Sequence, residues 1–326
     1  MRGTSCGKPW LFMDDPGYRS GFIALVGRPN VGKSTLLNQI LGEKIAIISD
    51  KPQTTRTRIL GVRHLPAAQL IFLDTPGIHK PQYRLNQRMV RVALEVLDEV
   101  DLVFFMVEAA ARLGAGDQYV LERLKERDVP VVLVINKIDL VQKRRLLPLI
   151  DAARQLHEFA EIVPVSALTG DGVEKLVNLG LRFMPQGPVY FKEDMVTDQP
   201  MRVLAAELIR EKILQKTRDE LPFSVAVQIE SFIEEEGRPS KRRSSPEEPV
   251  PASPRQFARI SAIVYVEKES QKAIVIGKRG ELLKAVGTEA RIDMEHLFGM
   301  KVFLQLWVKV KEGWRQDEQM LTALGY

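Results

Sequence analysis

The chain has 326 residues, a net charge of +5, 45% apolar residues and a single cysteine, Cys6. That length accommodates about two domains with real cores, a lone cysteine excludes an intrachain disulfide and points to a reducing compartment, and no apolar stretch reaches membrane-spanning length. The mild basic excess fits a nucleic acid or an anionic membrane surface as partner without requiring either.

Residues 1–20 lack the continuous apolar region of a signal peptide and read as a disordered leader. From Phe22 to about Phe183, strand-like apolar runs at 22–26, 70–73, 102–107, 131–135 and 162–164 alternate with amphipathic segments. This predicts an α/β domain over residues 21–184, with a mostly parallel sheet covered by helices on both faces. The stretch MPQGPVYF, with two prolines and a glycine, marks a boundary, and residues 185–200 read as a linker.

Residues 201–326 follow a different order and predict an α+β domain. A helical pattern covers 203–217, and FSVAVQIESF alternates like a strand. Residues 234–255 are charged, rich in proline and serine, and nearly free of large apolar side chains. They read as a flexible insertion, because they cannot bury enough surface to offset their ordering entropy. ARISAIVYVEK resumes as a strand; a short helix, a glycine-rich turn and two more helical patterns run to about Leu297. KVFLQLWVKVK alternates again, with Val302, Leu304, Leu306, Val308 and Val310 on one face.

Within the first domain, Gly27 to Ser34 (GRPNVGKS) fit G-x-x-x-x-G-K-S between a strand and a helix. Gly27 and Gly32 free the backbone so that successive N–H groups converge on phosphate oxygens, and the helix starting near Lys33 adds its dipole. Lys33 is placed to neutralise the β- and γ-phosphates and Ser34 to ligate Mg²⁺, with Thr35 counted in the same loop. NKID, with Asn136, Lys137 and Asp139, ends an apolar run at the carboxyl edge of the sheet, where such folds bind ligands. Asp139 can accept both donors of guanine's Watson–Crick edge, a pairing adenine does not offer. Asn136 can hold the loop and face O6/N7, the Lys137 stem can lie over the ring, and SAL, beginning at Ser166, can offer the Ala167 backbone N–H to O6. Asp74 at a strand end suits Mg²⁺ through water, and the Gly77 N–H can sense the γ-phosphate. In KPQTTRTR a threonine is needed to complete the Mg²⁺ shell in the triphosphate state; Thr55 is assigned, with Thr54 as its rival.

Residues 22–183 thus resemble a translation-factor-type GTPase domain. One departure is Ile78, at the place where many GTPases carry a glutamine that orients water. Hydrolysis must then be slow or be assisted by another group, a monovalent ion or a partner. Asn30 resembles the K⁺ ligand of related GTPases, which puts a positive charge near the phosphates; the alternative is that it only braces the loop.

In the second domain, Gly277, Lys278, Arg279 and Gly280 stand between an apolar segment and a helix. Two glycines allow close approach to a nucleic-acid backbone, the helix N-terminus faces phosphate, and two cations add charge. This is the KH arrangement for clamping about four nucleotides of single-stranded RNA, and the order of elements resembles type II. A GTPase domain followed by one KH domain, with QTTR, DTPGIHKP, ELPFSV, VIGKRG and LWVKVKEGW, is similar to the Era family. The resemblance implies GTP/GDP and Mg²⁺, with K⁺ as a further ion. It also implies 16S ribosomal RNA near its 3′ end and the 30S subunit as partners, and a role in 30S maturation. A cytoplasmic monomer with peripheral contact to the inner membrane surface completes what it implies. Competing readings are a constitutive RNA-binding protein with a structural or regulatory nucleotide and a membrane-associated signalling role, and a GTP-using RNA-modifying enzyme. The second needs a further catalytic centre, and His64, His79, His157 and His296 are scattered along the chain.

Overall fold

Strands that are apolar on both faces need cover on both sides, and the N-terminal half is built on that demand. The computed structural model describes residues 17–51, 54–78, 83–217, 221, 224–236 and 256–326. In chain order the first half runs β1 (Arg19–Gly27), α1 (Lys33–Leu41), β2 (Ile59–Leu65), β3 (Ala68–Asp74), α2 (Arg84–Glu95), β4 (Leu102–Glu108), α3 (Ala115–Lys125), β5 (Val131–Asn136), α4 (Leu146–Arg154), β6 (Glu161–Pro164) and α5 (Val173–Phe183). The sheet order is β2-β3-β1-β4-β5-β6. Every pair is parallel except β2 with β3. All residues of β3 and β5 are buried, the central apolar runs being hydrophobic without alternation. Val26, Leu73, Phe105, Val107, Leu133 and Ile135 belong to one core cluster. Helix α1 opens on Gly32 and stops at Gly42, whose left-handed backbone (φ 73°) turns its N–H onto Asn38 O.

The α/β sheet is as expected, with three differences in detail. Strand β2 was not among the anticipated apolar runs. It is an edge strand whose Arg63 and His64 interrupt the apolar pattern, and edges carry such charges against unwanted pairing. Arg19 and Ser20, counted with the leader, belong to β1: Arg19 pairs with Ala68, and Ser20 is buried with its hydroxyl donating to Pro188 O at 2.7 Å. Residues 1–16 of that leader lie outside the described residues. The stretch read as a linker is held along the same sheet. Val62 N donates to Val196 O, Thr197 Oγ1 donates to Leu60 O, and Tyr190 N donates to the buried Gln69 amide oxygen at 2.9 Å. Its backbone groups are paired rather than left to solvent, which a linker would not require.

The second half runs α6 (Met201–Lys216), β7 (Ala226–Glu236), β8 (Gln256–Val266), α7 (Glu269–Ile276), α8 (Glu281–Phe298), β9 (Lys301–Val310) and α9 (Glu318–Ala323). Its sheet is ordered β7-β8-β9, with β7/β8 antiparallel and β8/β9 parallel. Alternate residues of β9 turn inward, as the period of two predicts, and join Leu208, Ile209, Ile260, Val264, Val286 and Met294 in one core. The pairing of β7 and β8 continues to Glu236 opposite Gln256, so the anticipated insertion joins adjacent strand ends; its residues 237–255 lie outside the described residues. The two helical patterns expected after the glycine-rich turn are one 18-residue helix, α8. Gly287 does not break it: a single glycine costs about 1 kcal/mol of helix propensity, which the burial of Val286, Ala290 and Met294 of the same helix in the core offsets.

By contacts the chain divides into two units. The first holds the described residues within Met1–Glu43, Arg58–His79 and Arg91–Asp198. The second holds those within Lys44–Thr57, Lys80–Val90 and Gln199–Tyr326.

Candidate nucleotide and nucleic-acid sites

The turn between β1 and α1 is shaped by residues with positive φ. Asn30 (φ 65°) takes the left-handed region that asparagine tolerates better than most side chains. Gly32 (φ 97°) is constrained twice, since a Cβ there would also lie 2.2 Å from Asn136 Nδ2. At Gly27 a Cβ would meet Met106 O at 2.5 Å. Lys33 is buried, with Nζ donating to Arg28 O at 3.1 Å and Gly27 O at 3.4 Å, so its ammonium is folded back over the loop. Burial pulls this ammonium below its ordinary value, and the charge of Asp74 opposes that shift. Anionic phosphate at the loop would add to the opposing side. Ser34 Oγ donates to Asp74 Oδ2 at 2.7 Å, so a hydroxyl and a fully buried carboxylate meet beside the loop. Thr35 is half-buried on α1.

The base-reading residues converge on the same edge. Asn136 at the end of β5 is buried, and its Nδ2 donates to Val31 O at 2.8 Å, tying this strand to the phosphate loop. Its Oδ1 accepts from Ala167 N at 2.9 Å. The sequence reading assigned the Ala167 N–H to a base oxygen and an Asn136 face to O6/N7. In the structure these two groups hydrogen-bond each other, which pairs two buried polar groups. Lys137 has positive φ (64°), and its Nζ lies 3.2 Å from Glu108 Oε2. Asp139 is exposed, and its Oδ1 accepts from Ser166 Oγ at 2.6 Å. One serine thus fixes the orientation of the carboxylate.

At the end of β3, Thr75 Oγ1 donates to Leu25 O at 2.8 Å, and Gly77 approaches the phosphate loop so closely that a Cβ would stand 2.7 Å from Pro29 N. Ile78 is fully buried in the sheet's core cluster with Ala24, Val26 and Leu73. Its side chain is committed to packing and cannot orient water. Thr55 lies on the segment that belongs to the second unit and is buried there. Two braces had no signature in a local motif. Arg28 Nε donates to the fully buried Asp117 Oδ1 at 2.7 Å, while Asp117 Oδ2 accepts from Gly114 N. Glu108 is the other brace, reaching Lys137 from the end of β4.

In the second unit, the turn from α7 to α8 carries Gly277 (φ 74°), Arg279 (φ 53°) and Gly280 (φ 79°). Lys278 and Arg279 are exposed. Gly277 has an internal reason as well: a Cβ there would lie 2.6 Å from Leu282 Cβ. Beside Gly280 runs an open groove of about 400 Å³, lined along α8 by Lys284, Gly287, Thr288 and Arg291 and floored by Leu304 and Leu306 of β9. An apolar floor with cations and a hydroxyl along one wall suits a nucleotide chain, bases inward and phosphates toward the charges. The sequence reading named the turn but not this wall. The spacing of positions 284, 288 and 291 places them on one helix face.

Each half of the chain matches a known protein family. Residues 22–137 match the family model described as 50S ribosome-binding GTPase, and residues 257–315 match the KH domain model. The chain is 50% identical over 314 residues to the GTPase Era of Geobacter metallireducens, covering 96% of this chain and 100% of that one. It is 50% identical over 309 residues to the GTPase Era of Syntrophus aciditrophicus, covering 95% of each. A crystal structure of Era in complex with MgGDPNP and nucleotides 1506–1542 of 16S ribosomal RNA superposes with a TM-score of 0.86 at 42% identity, covering 95% of this chain and 99% of that one. An Aquifex aeolicus Era variant bound to GDP·AlF4⁻ gives 0.85 at 42% identity, covering 94% and 99%.

Proposed function

This chain belongs to the Era family of GTPases, and from that premise we propose that it binds and hydrolyses GTP, holds 16S ribosomal RNA near its 3′ end, and assists maturation of the 30S subunit. The observation that carries the reading is the presence of two helix N-termini capped by left-handed glycines in one chain, one braced beside the NKID loop and one open beside a groove. A relative of this architecture has been crystallised with a Mg²⁺-bound GTP analogue and that RNA segment together.

The residues fit Mg²⁺. Ser34 Oγ and Asp74 Oδ2 supply hard oxygen donors 2.7 Å apart, the serine binding the ion directly and the aspartate through water. Thr55 completes the set in the triphosphate state. When bound, Mg²⁺ would supply positive charge against the negative charge that develops on the phosphates. The protein's own groups do the rest. The N–H groups of the turn from Gly27 to Gly32 and the Lys33 ammonium cradle the phosphates, and Gly77 N–H reports the γ-phosphate. Asp139, oriented by Ser166, accepts the two guanine donors. Asn136 keeps the phosphate loop and the loop of Ala167 in one register. With Ile78 in the core, no side chain at that position orients water, so hydrolysis to GDP and phosphate is slow without assistance. Asn30, which is exposed, is the K⁺ ligand in this reading. Gly277, Lys278, Arg279 and Gly280 clamp the RNA backbone. The reading extends to a cytoplasmic monomer, with peripheral contact at the inner membrane face as its finer part. Among the described residues no helix is long and apolar enough to cross a membrane.

Crosslinking the protein to total cellular RNA, with and without a GTP analogue, and sequencing the bound fragments tests the proposal. Recovery of the small-subunit 3′ end is expected; scattered messenger fragments would defeat the assembly role.

A further inference from the structure

Residues 44–57, which carry Thr55, are tied into the second unit at both ends. At one end, Lys44 Nζ lies 2.6 Å from Glu211 Oε2 and 2.8 Å from Asp293 Oδ2. Glu211, on α6, is fully buried, and its second oxygen accepts from Ile48 N at 2.8 Å. Lys212 closes the cluster, 2.7 Å from Asp293 Oδ2 and 3.4 Å from Glu211 Oε2. At the other end, Thr54 O accepts from Arg210. The buried Arg56 donates to Val225 O at 2.8 Å and to the Tyr326 hydroxyl at 3.0 Å, with its guanidinium 5.5 Å from the centre of the Trp314 ring. Thr55 therefore sits between two residues whose positions are fixed.

The chemistry of the Lys44 end has a consequence for register. Apolar packing alone would tolerate slippage of the segment, because it is non-directional. Any slip of Lys44 takes away the nearer of the two cations on the fully buried Glu211 carboxylate and leaves Lys212 alone, 3.4 Å away, to compensate it, which is unfavourable. Burial by itself would pull the Lys44 ammonium down; hydrogen bonds to Asp293 and Glu211 outweigh it and hold the group above its ordinary value. Asp293 is shifted the other way: burial would raise it, but hydrogen bonds from Lys212 and Lys44 keep it below the usual carboxylate range. Both partners thus stay charged near neutral pH.

We propose that Lys44, Glu211 and Asp293 are positioning residues for Thr55: they fix the register of its loop and thereby set how strongly the protein prefers GTP over GDP. The proposal rests on the reading of Thr55 as the Mg²⁺ ligand of the triphosphate state. If the anchor is removed, ordering the loop falls to the nucleotide. That cost burdens the triphosphate alone, since only that state engages Thr55. Asp293 stands on α8, the helix whose Lys284, Thr288 and Arg291 line the groove, so the anchor is built on the wall of the RNA site.

The test measures affinities for GDP and for a non-hydrolysable GTP analogue at fixed Mg²⁺, in the full chain. Thr55→Ala checks the underlying reading. Lys44→Met, Asp293→Asn and the charge-retaining Lys44→Arg check the anchor. Lys216→Ala is the control, because Lys216 pairs with Glu289 at 2.6 Å between the same two helices without touching the segment. Lys44→Met should lower the analogue-to-GDP affinity ratio about tenfold, a usual size for coupling between sites, with GDP affinity unchanged. Asp293→Asn should lower it less, Lys44→Arg should restore most of it, and Lys216→Ala should leave it at the wild-type value. Should Lys44→Met fail to fold, the half-buried Asp293→Asn carries the test. An unchanged ratio in Thr55→Ala overturns the Mg²⁺ reading and the proposal with it. A lowered ratio in Thr55→Ala with an unchanged one in the folded anchor variants overturns the positioning role alone, as does an equal loss in Lys216→Ala.

Discussion

The phosphate loop and the Gly277–Gly280 turn use the same backbone device and differ in what surrounds it. Each places a non-glycine residue at positive φ, Asn30 at 65° and Arg279 at 53°, and then a left-handed glycine as the cap of a helix, Gly32 and Gly280. Each thereby presents N–H groups at a helix N-terminus to an anion. The first is closed: Lys33 is buried, Asn136 ties Val31 to the base loop, and Asp117 holds Arg28. The second is open: Lys278 and Arg279 are exposed, and a Cβ on Gly280 would meet nothing within 4 Å. A closed, braced turn suits one compact polyanion of fixed geometry. An open one suits a chain of phosphates that enters and leaves.

The largest effect should come from reversing charge on the open turn. Replacing Lys278 and Arg279 with aspartates puts repulsion where phosphates lie, and both sites are exposed, so folding should survive. RNA affinity in a filter-binding titration should fall by orders of magnitude, and the slope of log affinity against log salt should become shallower by roughly 0.7 for each phosphate that is no longer neutralised. GTP affinity should not change. Wild-type RNA binding by the folded variant would show that these glycines only join two helices.

A matched pair of glycine substitutions sharpens the contrast. Gly32→Ala meets both strain at positive φ and the displacement of Asn136 Nδ2, and nucleotide affinity should drop about a hundredfold. Gly280→Ala meets strain only, and RNA affinity should drop about tenfold or less. Equal losses at the two sites would contradict the difference in bracing.

A smaller effect tests the base loop. Asp139→Asn should weaken GTP about tenfold or more, because hydrogen bonds to a charged group are lost, and should favour xanthosine triphosphate, whose O2 accepts from an amide. Unchanged GTP affinity in a nucleotide titration would remove Asp139 as the base reader. The smallest expected effect concerns Asn30. GTPase activity should be faster in KCl than in NaCl at equal ionic strength, and Asn30→Ala should abolish the difference. Identical rates in both salts would leave Asn30 as a loop brace.

What could be read from sequence was what is local. GRPNVGKS, NKID and GKRG each carry their chemistry within a few residues, so spacing alone pointed to the turns. Strand β2 escaped because an edge strand needs few apolar residues, and its Arg63 and His64 break the pattern. Helix α8 reads as two patterns because a glycine interrupts it locally; the core that holds it as one helix, through Val286, Ala290 and Met294, is completed by other elements. The anchor of the Thr55 segment was beyond any motif. Lys44 reaches partners 167 and 249 residues away, and only the fold brings them together. The Ala167–Asn136 bond escaped for a related reason: each group is legible alone, and only the fold brings the two together.

Under the proposed function, guanine nucleotide in the first unit and RNA in the second are bound as linked events. The most direct measurement is the affinity of an RNA oligonucleotide with the 16S 3′-end sequence, taken at saturating GDP and at a saturating non-hydrolysable GTP analogue in the same buffer. RNA should bind more tightly with the analogue, by about fivefold or more, the lower range of coupling between sites. Equal RNA affinity in the two nucleotide states would contradict it and identify a constitutive RNA binder with a structural nucleotide.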